Sequence, residues 1–175
     1  SGVIHKDLSK ELDAKIIGFN RSHIWEQLDL YLYLLKNKSP LLLSFGYTGP
    51  LFYKNQIISV HDMAFKYYKS TFSKGFALTY NFLVPRISKR CLHVCTVSKA
   101  AKTEICKELN LSEEKVTVIY NGLTEIFKSS QRKDKLLQKA NSRYILTVSS
   151  HHPRKNYKRL LEAFYNIEDS TVKMY

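Results

Sequence analysis

The chain has 175 residues, 44% of them apolar, and 28 Lys and Arg against 15 Asp and Glu give a formal net charge of +13. That is enough for one cored domain or parts of two, and the charge favours an anionic partner: nucleic acid, an acidic membrane face or a phosphorylated small molecule. Three cysteines with no CxxC pair argue against a disulfide framework and for a reducing compartment, no apolar run nears the roughly 18 residues of a membrane span, and no signal peptide opens the chain.

The first residues, Ser1-Gly2, include no initiator Met, so the natural start is expected to precede them. Residues 23–37, "HIWEQLDLYLYLLKN", place Ile24, Leu28, Tyr31, Leu32 and Leu35 at helical spacing, which predicts one apolar helix face. "LLLSFG" (41–46) and "QIISVHD" (56–62) read as strands separated by a Gly-Pro loop. Residues 73–91 read as a helix that Pro85 should kink or divide. "VCTVS" (94–98) is a further strand. Ser98 then stands as N-cap of "KAAKTEICKEL", in which Ala101, Ile105 and Leu109 share a face. "KVTVIYNG" (115–122) is a strand closed by a turn, and the polar, basic stretch after it reads as a linker over 123–143. A strand at 144–149, a helix at 156–167 and a strand-like "TVKMY" make a β-α-β unit.

Alternation of strands and helices predicts an α/β fold with parallel sheets. The last unit, 144–175, has the size of one β-α-β and falls short of a domain of roughly 50 residues. The chain is therefore expected to hold a first domain at 1–122, a linker at 123–143 and the beginning of a second domain at 144–175.

The turn "SSHHPRKN" (149–156) lies between strand and helix. Adjacent His151 and His152 do not readily converge on one ion and no third ligand is suitably spaced, so metal binding is not expected. Two readings remain open from the residues alone. One is a phosphate cradle at the carboxyl end of a strand, with Asn156 capping the helix and Arg154 or Lys155 adding charge. The other is a solvated basic turn. His61 and Asp62, just past a strand, and Ser98, just past the next, are candidate cleft contacts, since imidazole can hydrogen-bond a polar ligand there. The alternatives are a histidine satisfied by Asp62 or backbone and a serine that only caps. No nucleophile elbow, Walker loop, paired carboxylates or GxGxxG fingerprint is present.

Taken in order, "IWEQLDL", "LLLSFGYTGPL", "QIISVHDMAF", "LVPRISKRCLHVCTVSKAAKTEICKEL", "KVTVIYNG" and "YILTVSSHHPRKNYKRLLEAF" resemble family 4 glycosyltransferases, in particular the bacterial branch with mannosyltransferases of surface-polysaccharide assembly. The resemblance runs from about residue 20 to 167. It implies the GT-B architecture, two Rossmann-like domains facing across a cleft, with acceptor mainly on the first and nucleotide-sugar on the second. It also implies transfer with retention of anomeric configuration and without metal or other cofactor.

The resemblance further implies roles for single residues. His61 matches the cleft histidine near the reacting centre, Lys155 the lysine that binds the donor diphosphate, and Asn121-Gly122 the hinge that ends the first domain. Many relatives carry an Arg five residues before that lysine; here the position is Ser150, with Arg154 a candidate for the charge. The family's E-x7-E pair would lie beyond Tyr175 and its glycine-rich acceptor loop before Ser1, so these residues alone are expected to be inactive. The implied partners are a nucleotide-sugar donor with mannose a candidate sugar, a saccharide or lipid-linked acceptor and the anionic face of a membrane, with no nucleic acid. The implied location is cytoplasmic, peripheral at the inner face of the plasma membrane. The competing classes are a basic nucleic-acid-binding module, although no RRM, helix-turn-helix or zinc pattern is visible, and a binding domain without chemistry.

Overall fold

Short apolar runs rich in β-branched residues, each closed by a turn, favour strands that are covered on both faces. In the computed structural model, which describes residues 6–68, 71–123 and 143–175, they form β1 (Leu42–Ser44), β2 (Gln56–Ser59), β3 (His93–Thr96) and β4 (Val116–Val118). These four make a parallel sheet in the order β1-β2-β3-β4. The α/β class expected from the alternation is the observed one, and the sheet with its helices is a partial Rossmann-like domain.

Register explains the core. Ile58 pairs with Val94, and Val94 with Val116, so three almost fully buried side chains form one row across the sheet. Burial of each such side chain stabilises the fold by about 1.5–3 kcal/mol. Helices α5 (Lys74–Arg90) and α6 (Lys99–Leu109) add Leu83, Val84, Ile87, Ala101, Ile105 and Leu109 to the buried set. The face predicted for α6 is the buried one.

Two local expectations are corrected, one of them in part. Of the kink or division expected at Pro85, the division does not occur: α5 runs unbroken through it. The ring removes one backbone donor, and the Arg86 guanidinium donates to Phe82 O at 2.9 Å in the same turn. After a first short helix α1 (Lys6–Glu11), the segment 22–36 is helical as expected, but as α2 (Ser22–Ile24), a π-helical stretch Trp25–Leu30, and α3 (Tyr31–Lys36). The predicted face is therefore not the buried one: Ile24, Leu28, Leu32 and Leu35 are 59%, 53%, 51% and 46% exposed, while Leu34 is buried. A face read at 3.6 residues per turn is displaced once six residues wind more widely.

By its internal packing the chain divides into two units, Ser1–Met63 with Leu78–Tyr120, and Ala64–Ala77 with Asn121–Tyr175. The second includes the short helix α4 (Ala64–Tyr67) and a β-α-β element. There β5 (Tyr144–Ile145) and β6 (Lys173–Met174) pair in parallel around α7 (Tyr157–Tyr165). No residue of α7 is buried. The linker expected at 123–143 lies outside the described residues except at its two ends.

Candidate functional site

In the first unit the chain leaves β2 through Val60 and arrives at His61 and Asp62. This is the carboxyl end of a parallel strand, where open α/β sheets bind ligands. His61 is half-buried and its ring lies 5.2 Å from that of Tyr47, tilted by 43°. Neither imidazole nitrogen hydrogen-bonds to another described residue. Asp62 does not hold the histidine; its Oδ1 accepts the Tyr47 hydroxyl at 3.1 Å.

Tyr47 was not foreseen from the sequence. It sits in the loop "FGYTGP" between β1 and β2 with φ of +63°, a left-handed conformation that costs a non-glycine residue roughly 1 kcal/mol. The loop is fastened on several sides. Tyr47 N–H donates to Ser59 O at 2.9 Å, and the Ser44 hydroxyl donates to Thr48 O. Buried Thr48 donates through Oγ1 to Glu26 Oε2 at 2.8 Å. Gln27 Nε2 donates to Gly49 O at 2.8 Å, and Leu51 N–H to Gln27 Oε1 at 2.8 Å. A Cβ at Gly49 would stand 2.2 Å from Oε1 of buried Gln56, so a larger residue there would displace an amide that donates to Pro50 O and Tyr53 O. Glu26 and Gln27 both belong to the π-helical stretch.

A second ring, Tyr80 of α5, lies 5.9 Å from Tyr47 and 5.6 Å from His23. Burial, and then the Glu26 carboxylate, push the Tyr80 phenol above its ordinary range, so it stays protonated at neutral pH. His61, Tyr47 and Tyr80 thus form one aromatic cluster, with the Asp62 and Glu26 carboxylates beside it. The only textual signal for Tyr47 is a bulky residue flanked closely by Gly46 and Gly49.

Ser98 lies beyond the carboxyl end of β3 and caps α6, its Oγ accepting Ala101 N–H at 3.1 Å. Ser98→Ala is expected to lower stability by about 1 kcal/mol, read as a lower urea midpoint at unchanged slope. An unmoved midpoint would contradict the cap. The thiols of Cys91, Cys95 and Cys106 are all pushed above the ordinary cysteine range, chiefly by burial, and so are not prepared as nucleophiles.

In the second unit "PRK" is a single 3₁₀ turn, Pro153–Lys155, ahead of α7. Lys155 N–H donates to His152 O at 2.8 Å and Asn156 N–H to Pro153 O at 3.1 Å. Asn156 occupies the N-cap position but not the capping role expected of it. Its backbone is left-handed at φ of +53° and its side chain makes no capping bond. The helix's own bonding begins with Leu160 N–H to Asn156 O, which leaves the N–H groups of residues 157–159 without intrahelical acceptors.

Beside them is a depression of about 280 Å³, lined by His151, His152, Pro153, Asn156, Tyr157 and Lys158. His151 packs on Tyr157 at 5.4 Å between ring centroids, and the Tyr157 hydroxyl donates to Ser149 O at 3.2 Å. Both contacts shape the turn. Lys155 and Ser150 are exposed, and Lys158, which sequence reading passed over, supplies the lining cation. Of Arg154 only the backbone is described.

Asn121 and Gly122 are exposed and follow β4 where one unit gives way to the other. Among the described residues no three His, Cys, Asp or Glu side chains group so as to hold a metal ion. No helix among them is long and apolar enough to cross a membrane. A further open depression of about 560 Å³ along α6 and β4 is lined by Lys99, Lys102, Glu113 and Glu114 among others; carrying both signs of charge, it is no single-sign cradle.

Comparison with known proteins bears on these positions. The family described as Glycosyltransferase Family 4 matches residues 32–125, more than half of the chain and including His61 and Ser98. The O-antigen chain mannosyltransferase RfbU of Salmonella typhimurium is 36% identical over 116 residues, which is 66% of this chain and 30% of that protein. The chain thus spans under a third of the length of that relative.

Proposed function

The chain belongs to glycosyltransferase family 4, and from that membership we propose that the intact protein is a retaining transferase. In this reading it moves a sugar from a nucleotide-sugar donor to a saccharide or lipid-linked saccharide acceptor in surface-polysaccharide assembly. The single observation that carries the reading is His61, at the carboxyl end of a parallel strand with both ring nitrogens unengaged by described residues, inside the stretch that matches the family. Mannose is the first sugar to try, because the similar Salmonella protein is named a mannosyltransferase.

The mechanism follows from charge. As the glycosidic bond breaks, the nucleoside diphosphate gains negative charge and the sugar becomes cationic. His61, hydrogen-bonding the sugar near the reacting carbon, acts more strongly on that state than on the bound donor. Lys155 and the N–H groups at the start of α7 meet the growing charge on the diphosphate, with Arg154 and Ser150 as neighbouring contacts and Asp62 and Ser98 bordering the cleft. Asn121 and Gly122 serve as the hinge between a first domain ending at 122 and a second beginning at 144. No metal enters this account, since full positive charges do the same electrostatic work. The basic surface favours an anionic membrane face on the cytoplasmic side, where a lipid-linked acceptor would be met.

The test is a panel of nucleotide sugars offered to the purified intact protein with saccharide acceptors. One donor is expected to release nucleoside diphosphate in an acceptor-dependent way. Release from none of the panel would remove the reading.

A further inference from the structure

We propose that Tyr47 is a positioning residue for His61, holding the His61–Asp62 turn so that the imidazole keeps one orientation toward the sugar being transferred. This rests on the role given to His61 above and adds a residue which that role does not itself require.

Three observations converge. The first is backbone conformation: Tyr47 is left-handed at φ of +63°, although Gly46 beside it has open space where a side chain would stand. A bulky residue held in a sparsely populated region indicates a local requirement. The second is anchorage. The loop is tied to β2 through Ser59 O, to β1 through Ser44, and to the π-helical stretch through Glu26 and Gln27; π-helical winding within a helix is frequent at functional sites. The third is what this fixed residue reaches. Its hydroxyl donates to Asp62 Oδ1 at 3.1 Å, and its ring lies 5.2 Å from the His61 ring. Tyr80, 5.9 Å away, limits the tyrosine's own swing. One side chain therefore fixes both members of the His-Asp pair from a rigid base. Orientation of a group at the reacting centre is a large part of its effect, because small misplacements are costly in rate.

The experiment uses the intact protein with ¹³C-labelled histidine and the variants Tyr47→Phe and Tyr47→Ala, the His61 ring signal being assigned by its loss in His61→Gln. Tyr47→Ala is expected to shift and broaden the His61 signal while that of His93, hydrogen-bonded to Thr117 at 2.8 Å, stays in place. Tyr47→Phe, which keeps the ring and loses the hydroxyl, is expected to lower kcat about fivefold, the size of one lost hydrogen bond. Donor KM should hold, the melting temperature should fall by a few degrees at most, as loss of one hydrogen bond implies, and the loss of kcat should disappear in a His61→Ala background. An unmoved His61 signal in Tyr47→Ala would overturn the proposal. So would a raised KM at unchanged kcat in Tyr47→Phe, or a kcat loss that persists at full size without His61. A parent protein with no transfer activity would sink the functional reading and leave the ring signal to decide this one.

Discussion

His61→Ala in the intact protein is expected to lower kcat about 100-fold, or roughly 2.7 kcal/mol, the scale of one preorganised group lost from a reacting centre. Affinity for the donor should change by less than about threefold, because a contact that strengthens as the sugar becomes cationic contributes little to ground-state binding. Stability should be nearly unaffected. The ring is only half-buried and none of its hydrogen bonds to described residues would be lost. A structural histidine would behave in the opposite way, with a lower melting temperature and normal turnover per folded molecule. Steady-state kinetics with thermal unfolding of the same preparation separates the two.

Lys155→Ala is expected to weaken binding of free nucleoside diphosphate at least tenfold, about 1.4 kcal/mol, because it removes a charge-assisted contact. Lys155→Arg should recover only part of the loss, since a planar fork does not replace a compact ammonium in a one-turn 3₁₀ segment. Folding should hold in both variants, the side chain being exposed. Lys158 lines the adjacent depression and stands 3.9 Å from Glu162, so Lys158→Ala makes an informative companion. Calorimetric titration of the intact protein and the three variants gives the comparison. Unchanged affinity in Lys155→Ala would dismiss that lysine as the diphosphate ligand, and a loss confined to Lys158→Ala would move the role one helical step along the chain.

What was readable beforehand follows regular geometry. The parallel α/β class, the capping of α6 by Ser98 and its buried Ala101-Ile105-Leu109 face depend on spacing within an ordinary helix and alternation between strands. The placement of His61 and Asp62 past β2 followed from the end of an apolar run. What was misread departs from that geometry. The π-helical winding at Trp25–Leu30 displaced the predicted apolar face of residues 23–37. The left-handed backbone of Asn156 left its expected cap unmade. α5 absorbs Pro85, whose lost donor removes only one bond in a helix fixed by buried Leu83, Val84 and Ile87. Tyr47 was invisible because its importance comes from Ser59, His61, Asp62 and Tyr80, all a dozen or more residues away in sequence, which no local pattern records. The roles proposed for Lys155 and His61 rest on resemblance to a family; their positions came from the pattern itself.

The most direct measurement of the central claim is the fate of a donor labelled in its sugar, incubated with the intact protein and a saccharide acceptor. The account predicts that label passes to the acceptor with one nucleoside diphosphate released per sugar, and that an α-configured donor gives an α-linked product by its one-bond C1–H1 coupling. An inverted product would contradict retention. A labelled donor that stays intact, beside tight and steeply salt-dependent binding of duplex DNA, would contradict sugar transfer itself.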